Sequence, residues 1–137
     1  MGKVATYNPK QVTCAAGSHI VTGFADDSMI SIEPGGDGTS YVIGADGETV
    51  RSIDPNAVYT IKISLLQTSA SNTRFKDLVA ADRANGSGIF PLTIKDILGG
   101  DVFTASNAWV SKEATWGRGK QQTNREWEIV AIDGQFK

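Results

Sequence analysis

The chain has 137 residues, with 13 Lys and Arg against 15 Asp and Glu, 40% hydrophobic and 20% charged residues, and one cysteine. This size suits a single domain over residues 1–137 that buries about two-thirds of its unfolded surface without staples, and the composition excludes a disordered chain. A formal charge of −2 excludes nothing by itself, but with the basic residues scattered among the acidic ones it argues against a general nucleic-acid binder, and the lone Cys14 excludes an internal disulfide.

At the N-terminus, Met1-Gly2-Lys3-Val4 runs into polar residues, not an apolar signal core, and no stretch is long enough to span a bilayer. The expectation is folding in a cytosol without membrane insertion. Lys3 to Tyr7 reads as a short strand or arm, broken by Asn8-Pro9. Gln11 to Ala16 is extended, with Cys14 as a small core residue. Gly17-Ser18 turns the chain into a strand from His19 to Phe24, ended by Asp26-Asp27. Met29 to Glu33 is a short strand with Ile30 and Ile32 inward, followed by the loop Pro34-Gly35-Gly36-Asp37-Gly38.

Thr39 to Ile43 and Glu48 to Ile53 flank Gly44-Ala45-Asp46-Gly47, where Asp-Gly supplies the positive φ of a tight hairpin. Glu33 to Ile53 therefore forms a long protruding hairpin. From Val58 to Leu66, Tyr59, Ile61, Ile63 and Leu65 alternate with Thr60, Lys62 and Ser64, the two-residue period of a strand with a dry and a wet face. That regularity predicts the centre of the sheet. A Ser/Asn-rich step then leads into a helix carrying Phe75, Leu78, Val79 and Asp82, with Gly86 as its C-cap.

Phe90 to Lys95 is a strand with Pro91 near its start. Asp101 to Lys112 is a long strand whose apolar positions shift from odd (Phe103, Ala105) to even, which predicts a bulge. Trp116-Gly117-Arg118-Gly119-Lys120 lies in a loop, and Arg125 to Asp133 is a strand with Trp127 and Ile129 alternating against Glu126 and Glu128, followed by a short tail. Eight or more strands against one helix predict a mainly β fold, an antiparallel β-barrel or sandwich with one flanking α-helix.

The residues offer little chemistry. His19 is the only histidine, so a Ser-His-Asp machine or a zinc site has almost nothing to be built from. Gly117-Arg118-Gly119-Lys120 fails as a phosphate loop: Ala114 stands where its first glycine belongs, and Gln121 where Ser or Thr holds magnesium. Asp26 and Asp27 point to opposite faces of a strand, whereas Glu126 and Glu128 share one. A wet strand face explains the second pair better than paired catalytic carboxylates. Trp116 on a Gly-flanked tip is either an interface anchor or folded back onto the barrel, and Trp109 and Trp127 have the character of core or groove residues. No catalytic, cofactor-binding or metal residue is assigned, and no enzyme activity.

Four segments carry a family likeness: Gly44-Ala45-Asp46-Gly47-Glu48 with Arg51-Ser52; Ser64-Leu65-Leu66-Gln67-Thr68-Ser69 with Ser71-Asn72; Ile94-Lys95-Asp96; and Gly119-Lys120 leading to Asn124-Arg125-Glu126-Trp127. In this order, across nearly the whole chain, they resemble the tail tube proteins of bacteriophages with contractile tails. Ile53-Asp54-Pro55-Asn56 departs from that pattern.

The resemblance implies a virion protein, assembled in the bacterial host cytoplasm, whose six-membered rings stack into a hollow conduit for DNA. Its implied partners are further copies of itself, the sheath, the baseplate or tail initiator, the terminator, and the tape measure protein and then DNA in the lumen. It implies no cofactor. The resemblance makes the hairpin from Pro34 to Arg51 the loop that reaches a neighbouring subunit or ring, with Gly36, Asp37, Tyr41, Asp46, Gly47 and Glu48 as contact candidates. Trp116, Arg118 and Lys120 form a second contact loop. Thr60, Lys62, Ser64, Glu126 and Glu128 face the lumen or an interface, with Lys62 at an interface or paired to Glu126 or Glu128. The related tubes of bacteriocins and type VI secretion share this reading. The competing classes are a carbohydrate-binding β-sandwich, in which Trp116 meets a sugar, and a small hydrolase using Glu126, Glu128 or Asp27.

Overall fold

The computed structural model describes residues 4–25, 29–35, 38–53 and 58–137. Among them the chain forms β1 (Val12–Ala16), β2 (His19–Ile20), β3 (Ile30–Pro34), β4 (Thr39–Ile43), β5 (Thr49–Ile53), β6 (Tyr59–Leu66), α1 (Ser71–Asn85), β7 (Phe90–Asp96), β8 (Asp101–Lys112), β9 (Asn124–Ile132) and β10 (Gln135–Phe136). All pairings are antiparallel. The main sheet runs in the order β2-β1-β7-β8-β9-β6-β3, with β10 also on β8, and β4 and β5 form a separate two-stranded ribbon. The fold is thus mainly β with one helix, as the alternating pattern predicts, and it is sandwich-like, without a continuously closed ladder.

The core forms where the dry faces of these strands meet under α1. Ile61, Ile63 and Leu65 of β6 and Trp127, Ile129 and Ala131 of β9 are fully or almost fully buried, along with Cys14, Leu92 and Phe103. Burying each large apolar side chain contributes about 2–3 kcal/mol. In α1 the buried residues Ser71, Asn72, Phe75 and Leu78 follow helical spacing, and the Phe75 ring lies 5.5 Å from that of Trp127. Gly86, at φ 73°, closes the helix through its N–H to Asp82 O.

Several expectations need correcting. β6 stands next to the terminal strand β3, and β8 occupies the middle of the order; alternation reports two unlike faces, which strands near an edge share. Residues 4–7 form no strand, and a single turn of 3-10 helix occupies Pro9–Gln11. The strand expected from His19 to Phe24 ends at Ile20. There Gly23, at φ 74°, packs so close to Ser69 that a Cβ would come within 2.6 Å of the serine Cβ, and the chain turns from β1 towards β6. Val21 N–H still donates to Cys14 O on β1, whereas Gly23 O accepts from Leu66 and Phe24 bridges Leu65 on β6. Pro34 ends β3 and is not a loop residue; the terminal position of β3 tolerates the missing N–H. The tail is β10, which pairs with Phe103 and Thr104 of β8 and seats Phe136 against Phe103 and Tyr59. Asp26, Asp27, Gly36, Asp37 and the segment 54–56 lie outside the described residues.

The bulge in β8 is real. Phe90 faces Ala108 while Leu92 faces Ala105, so β8 carries one extra residue there, and its buried positions change from Phe103 and Ala105 to Ala108 and Val110.

Candidate assembly interface

The β4–β5 ribbon is built by its turn. Gly47 N–H donates to Gly44 O (2.9 Å), Gly44 N–H to Glu48 O (2.7 Å), and Glu48 N–H to Asp46 Oδ1 (3.1 Å). Gly47 adopts φ 89°, which an L side chain resists. Val42 pairs with Val50 and Tyr41 with Arg51, which alternate between the two faces of the ribbon. All ten strand residues are exposed. Tyr41, Val42, Ile43, Val50 and Ile53 each show between 61% and 71% of their surface. The ribbon thus carries Tyr41, Asp46, Gly47, Glu48 and Arg51 on one exposed hairpin. Pro34 stays at its root, on β3.

The second loop joins β8 to β9 and is held by side chains. Gln67 N–H donates to Gln122 Oε1 (2.8 Å), and Gln67 Oε1 accepts from Thr123 N–H (3.3 Å). The Thr123 hydroxyl lies 3.0 Å from Gly117 O and 3.1 Å from Gln67 Oε1. Trp116 remains 65% exposed, with the Arg118 guanidinium 4.4 Å from its ring centroid. Arg118 in turn donates to Gly117 O, and Lys120 is exposed. A pinned loop presenting a rigid aromatic and two cations costs little ordering entropy on docking.

On the wet face of the sheet, strand register decides the neighbours. Lys62 stands opposite Glu128, which also faces Lys112, and Ser64 stands opposite Glu126. Lys62, Lys112, Glu126 and Glu128 line a polar depression of about 230 Å³ with Glu113, Thr115 and Asn124. Thr60 is half-buried beside Val130. Lys62 is therefore the cross-strand partner of Glu128. Among the described residues, however, the only ion pair within 4.0 Å is Arg83–Glu113, at 3.3 Å. Sequence reasoning missed Lys112 and Glu113, because their place beside Lys62 depends on the β8–β9 register and its shift after Val110. Two half-buried arginines, Arg74 and Arg125, keep a buried Nε without a hydrogen-bond partner. They too were missed, since nothing local in sequence marks them.

His19 has a structural use. Its Nε2 lies 2.9 Å from Ser71 Oγ, and that oxygen also accepts from Thr22 N–H (3.0 Å). Ser71 is completely buried, so no substrate reaches the pair. The network ties the segment after β2 to the first turn of α1. Burial pushes the Cys14 thiol from 9.0 up to about 12, so it stays protonated and unreactive.

With this geometry in view, comparison with known proteins is specific. The family described as the bacteriophage PhiTE tail tube protein matches residues 6–136. A structural protein, ORF10, of Pseudomonas phage KPP10 is 33% identical over 144 residues, covering 99% of this chain and 83% of that protein. Among solved structures, the tube-terminating cap of the anti-feeding prophage superposes with a TM-score of 0.70 at 12% identity, covering 100% and 94% of the two chains. A chain of the sheath–tube complex of the PVC extracellular contractile injection system, in its extended state, gives 0.68 at 12% identity, covering 96% and 91%. A chain of the gene transfer agent virion gives 0.61 at 11% identity, covering 96% and 99%. At these identities the structures share the fold.

Proposed function

The chain belongs to the bacteriophage PhiTE tail tube protein family, and from that membership we propose that six copies close into a ring and that rings stack into the hollow tube of a contractile phage tail. Stacking identical rings requires a heterologous contact repeated along an axis, which in turn requires surfaces with no partner inside the subunit. The β4–β5 ribbon is such a surface, and its five exposed large apolar side chains are the observation that carries this reading. Its contact residues are Tyr41, Asp46, Gly47, Glu48 and Arg51, with Pro34 on β3 at its root; Gly36 and Asp37 are contact candidates from the sequence alone.

The wet face suits the lumen. Lys62 and Lys112 are set among Glu113, Glu126 and Glu128, two positive charges against three negative ones. A wall of this balance gives phosphates no cluster of cations to hold, so DNA slides and is not retained. Trp116, Arg118 and Lys120 point to an outer partner, and the sheath protein is the one proposed. The baseplate initiator starts the tube, the terminator closes it, and the tape measure protein occupies the lumen before DNA does. Assembly takes place in the host cytoplasm, and the product is part of the virion.

A tube of a bacteriocin or secretion system is the second reading, favoured by the fold shared with the anti-feeding prophage and PVC structures. The phage relative, at 33% identity, favours the virion. The sugar-binding reading loses ground because Arg118 already covers one face of Trp116. Electron microscopy and light scattering of the purified protein at high concentration test the proposal. Six-fold rings or uniform hollow tubes support it. A strict monomer that adds to no tail initiator overturns it.

A further inference from the structure

The turn from β2 towards β6 leaves a seam where the two ends of the sheet order approach each other. In it lies an apolar groove of about 560 Å³, whose lining includes Val12, Thr13, Ile20, Phe24, Ala25 and Met29. The groove is tied to one end of β6: Leu66 N–H donates to Gly23 O, Ala25 N–H to Ser64 O, and Ser64 N–H to Met29 O. The β4–β5 ribbon is rooted at the other end, where Pro34 of β3 pairs with Tyr59. From Tyr59 to Leu65 a strand advances about 20 Å. Among the described residues, the chain therefore carries an unpartnered apolar ribbon at one end of β6 and an unfilled apolar groove at the other.

The charges match as well. Phe24 bridges Leu65, and Leu65 pairs with Arg125, so the guanidinium with the unpartnered buried Nε stands one strand beyond the groove. Arg74, with the same unmet donor, lies in the first turn of α1, shortly after Leu66. The ribbon's turn offers Asp46 and Glu48. The Nε atoms are enclosed by the subunit, so a carboxylate arriving from another copy meets these part-buried guanidinium groups at their terminal nitrogens, where charge-assisted pairs form.

We propose that the β4–β5 ribbon of one copy seats its Tyr41, Ile43 and Ile53 face in the β1/β2–Phe24 groove of the next copy, with its acidic turn directed at Arg125 and Arg74. The inference rests on the tube reading and names its receiving surface. Because protrusion and groove lie at opposite ends of β6, the contact is head-to-tail and propagates instead of closing a two-fold dimer. Tyr41, Ile43 and Ile53 lie on one face of the ribbon and Val42 and Val50 on the other, so the apolar surface that either face offers is well below the roughly 800 Å² per side of a standard interface. A single contact is then weak, and a ring of contacts against a neighbouring ring is strong.

The test uses the full chain carrying Ile20→Cys and Ile43→Cys, both at exposed positions, with the buried Cys14 silent. Under mild oxidation the expected result is a ladder of dimers, trimers and higher species, whereas mixing the two single variants gives a hetero-dimer and nothing larger. Glu48→Lys in the double variant is expected to lower the yield several-fold. Tubes or rings without the ladder overturn the docking and leave the tube reading standing. A disulfide confined to the monomer overturns it too, because the ribbon then reaches its own groove. A wild type that stays monomeric and adds to no tail initiator, together with no cross-link, overturns both. A yield unmoved by Glu48→Lys overturns the charge pairing.

Discussion

The indole N–H of Trp127 donates to Asn72 Oδ1 across 2.9 Å, joining the middle of β9 to the first turn of α1. The same amide donates from Nδ2 to Leu66 O at 2.9 Å and approaches Gln67 O at 3.4 Å. A buried asparagine thus satisfies the largest core side chain and two carbonyls at the exit of β6. It also ties the exit of β6 to the first turn of α1; at the helix start Ala70 makes no side-chain bond, and the Ser71 N–H donates to Ser69 Oγ at 3.2 Å.

Asn72→Ala is expected to cost about 2–4 kcal/mol, since the indole N–H and the Leu66 carbonyl lose their partner away from water. Urea unfolding measures this as a lower midpoint at unchanged slope. A loss under 0.5 kcal/mol would show that water or another group replaces the amide.

Cys14 makes the fold sensitive to alkali. The unfolded thiol ionises near 9.0 and the folded one near 12, so between these values the native state holds one more proton. Stability from this group is complete below the unfolded value and falls with rising pH at about 1.4 kcal/mol per unit until the folded value is reached. Comparing Cys14→Ala with the wild type from pH 8 to 10.5 isolates the effect from that of the lysines and tyrosines. The gap between their unfolding midpoints should narrow and then invert; parallel curves would exclude it.

Two glycines with similar φ should respond differently to alanine. At Gly47 (φ 89°) no atom lies within 4 Å of the added Cβ, and the cost is the backbone strain of about 1–2 kcal/mol. At Gly23 (φ 74°) the Cβ meets Ser69, and the displaced turn weakens the bonds to β6 as well. Gly23→Ala is expected to lose at least twice as much. Thermal melts of the two variants check the order.

Charge reversal at Lys62 places like charges opposite each other on β6 and β9. Lys62→Glu is expected to cost about 0.5–1 kcal/mol at low salt and less at high salt. Adding Glu128→Lys restores that pair but sets position 128 against Lys112. The double variant should therefore recover only in part. Full recovery in a denaturation series would show that Lys112 contributes nothing.

How legible the fold was depended on whether a feature is local. The hairpin turn at Asp46-Gly47, the end of α1 at Gly86 and the β8 bulge between Ala105 and Ala108 all lie in short sequence patterns, and all are present. The position of β6 in the sheet, the pairing of β10 with β8 and the truncation of β2 depend on which strands meet, and no local pattern carries that information. The same division holds at the candidate interface. Tyr41, Arg51 and Trp116 were visible as residues of exposed loops. Lys112, Glu113, Arg74, Arg125 and the groove beside Phe24 exist only once register brings distant segments together.

Arg118→Glu separates assembly from folding. Its guanidinium touches only the exposed Trp116 ring and the neighbouring Gly117 carbonyl, so stability should change by less than about 1 kcal/mol. Binding of sheath to preformed tubes should weaken at least tenfold in co-sedimentation. Unchanged binding would remove this loop from the outer contact.

The ribbon's ten exposed residues rest on no core, so substitutions there leave the folded subunit almost as stable as before. Under the proposed docking, compatibility between copies is what constrains these residues, and a changed ribbon would give subunits that fold alike but do not assemble together. Transplanting residues 38–53 between relatives would then move co-assembly preference without rebuilding the domain.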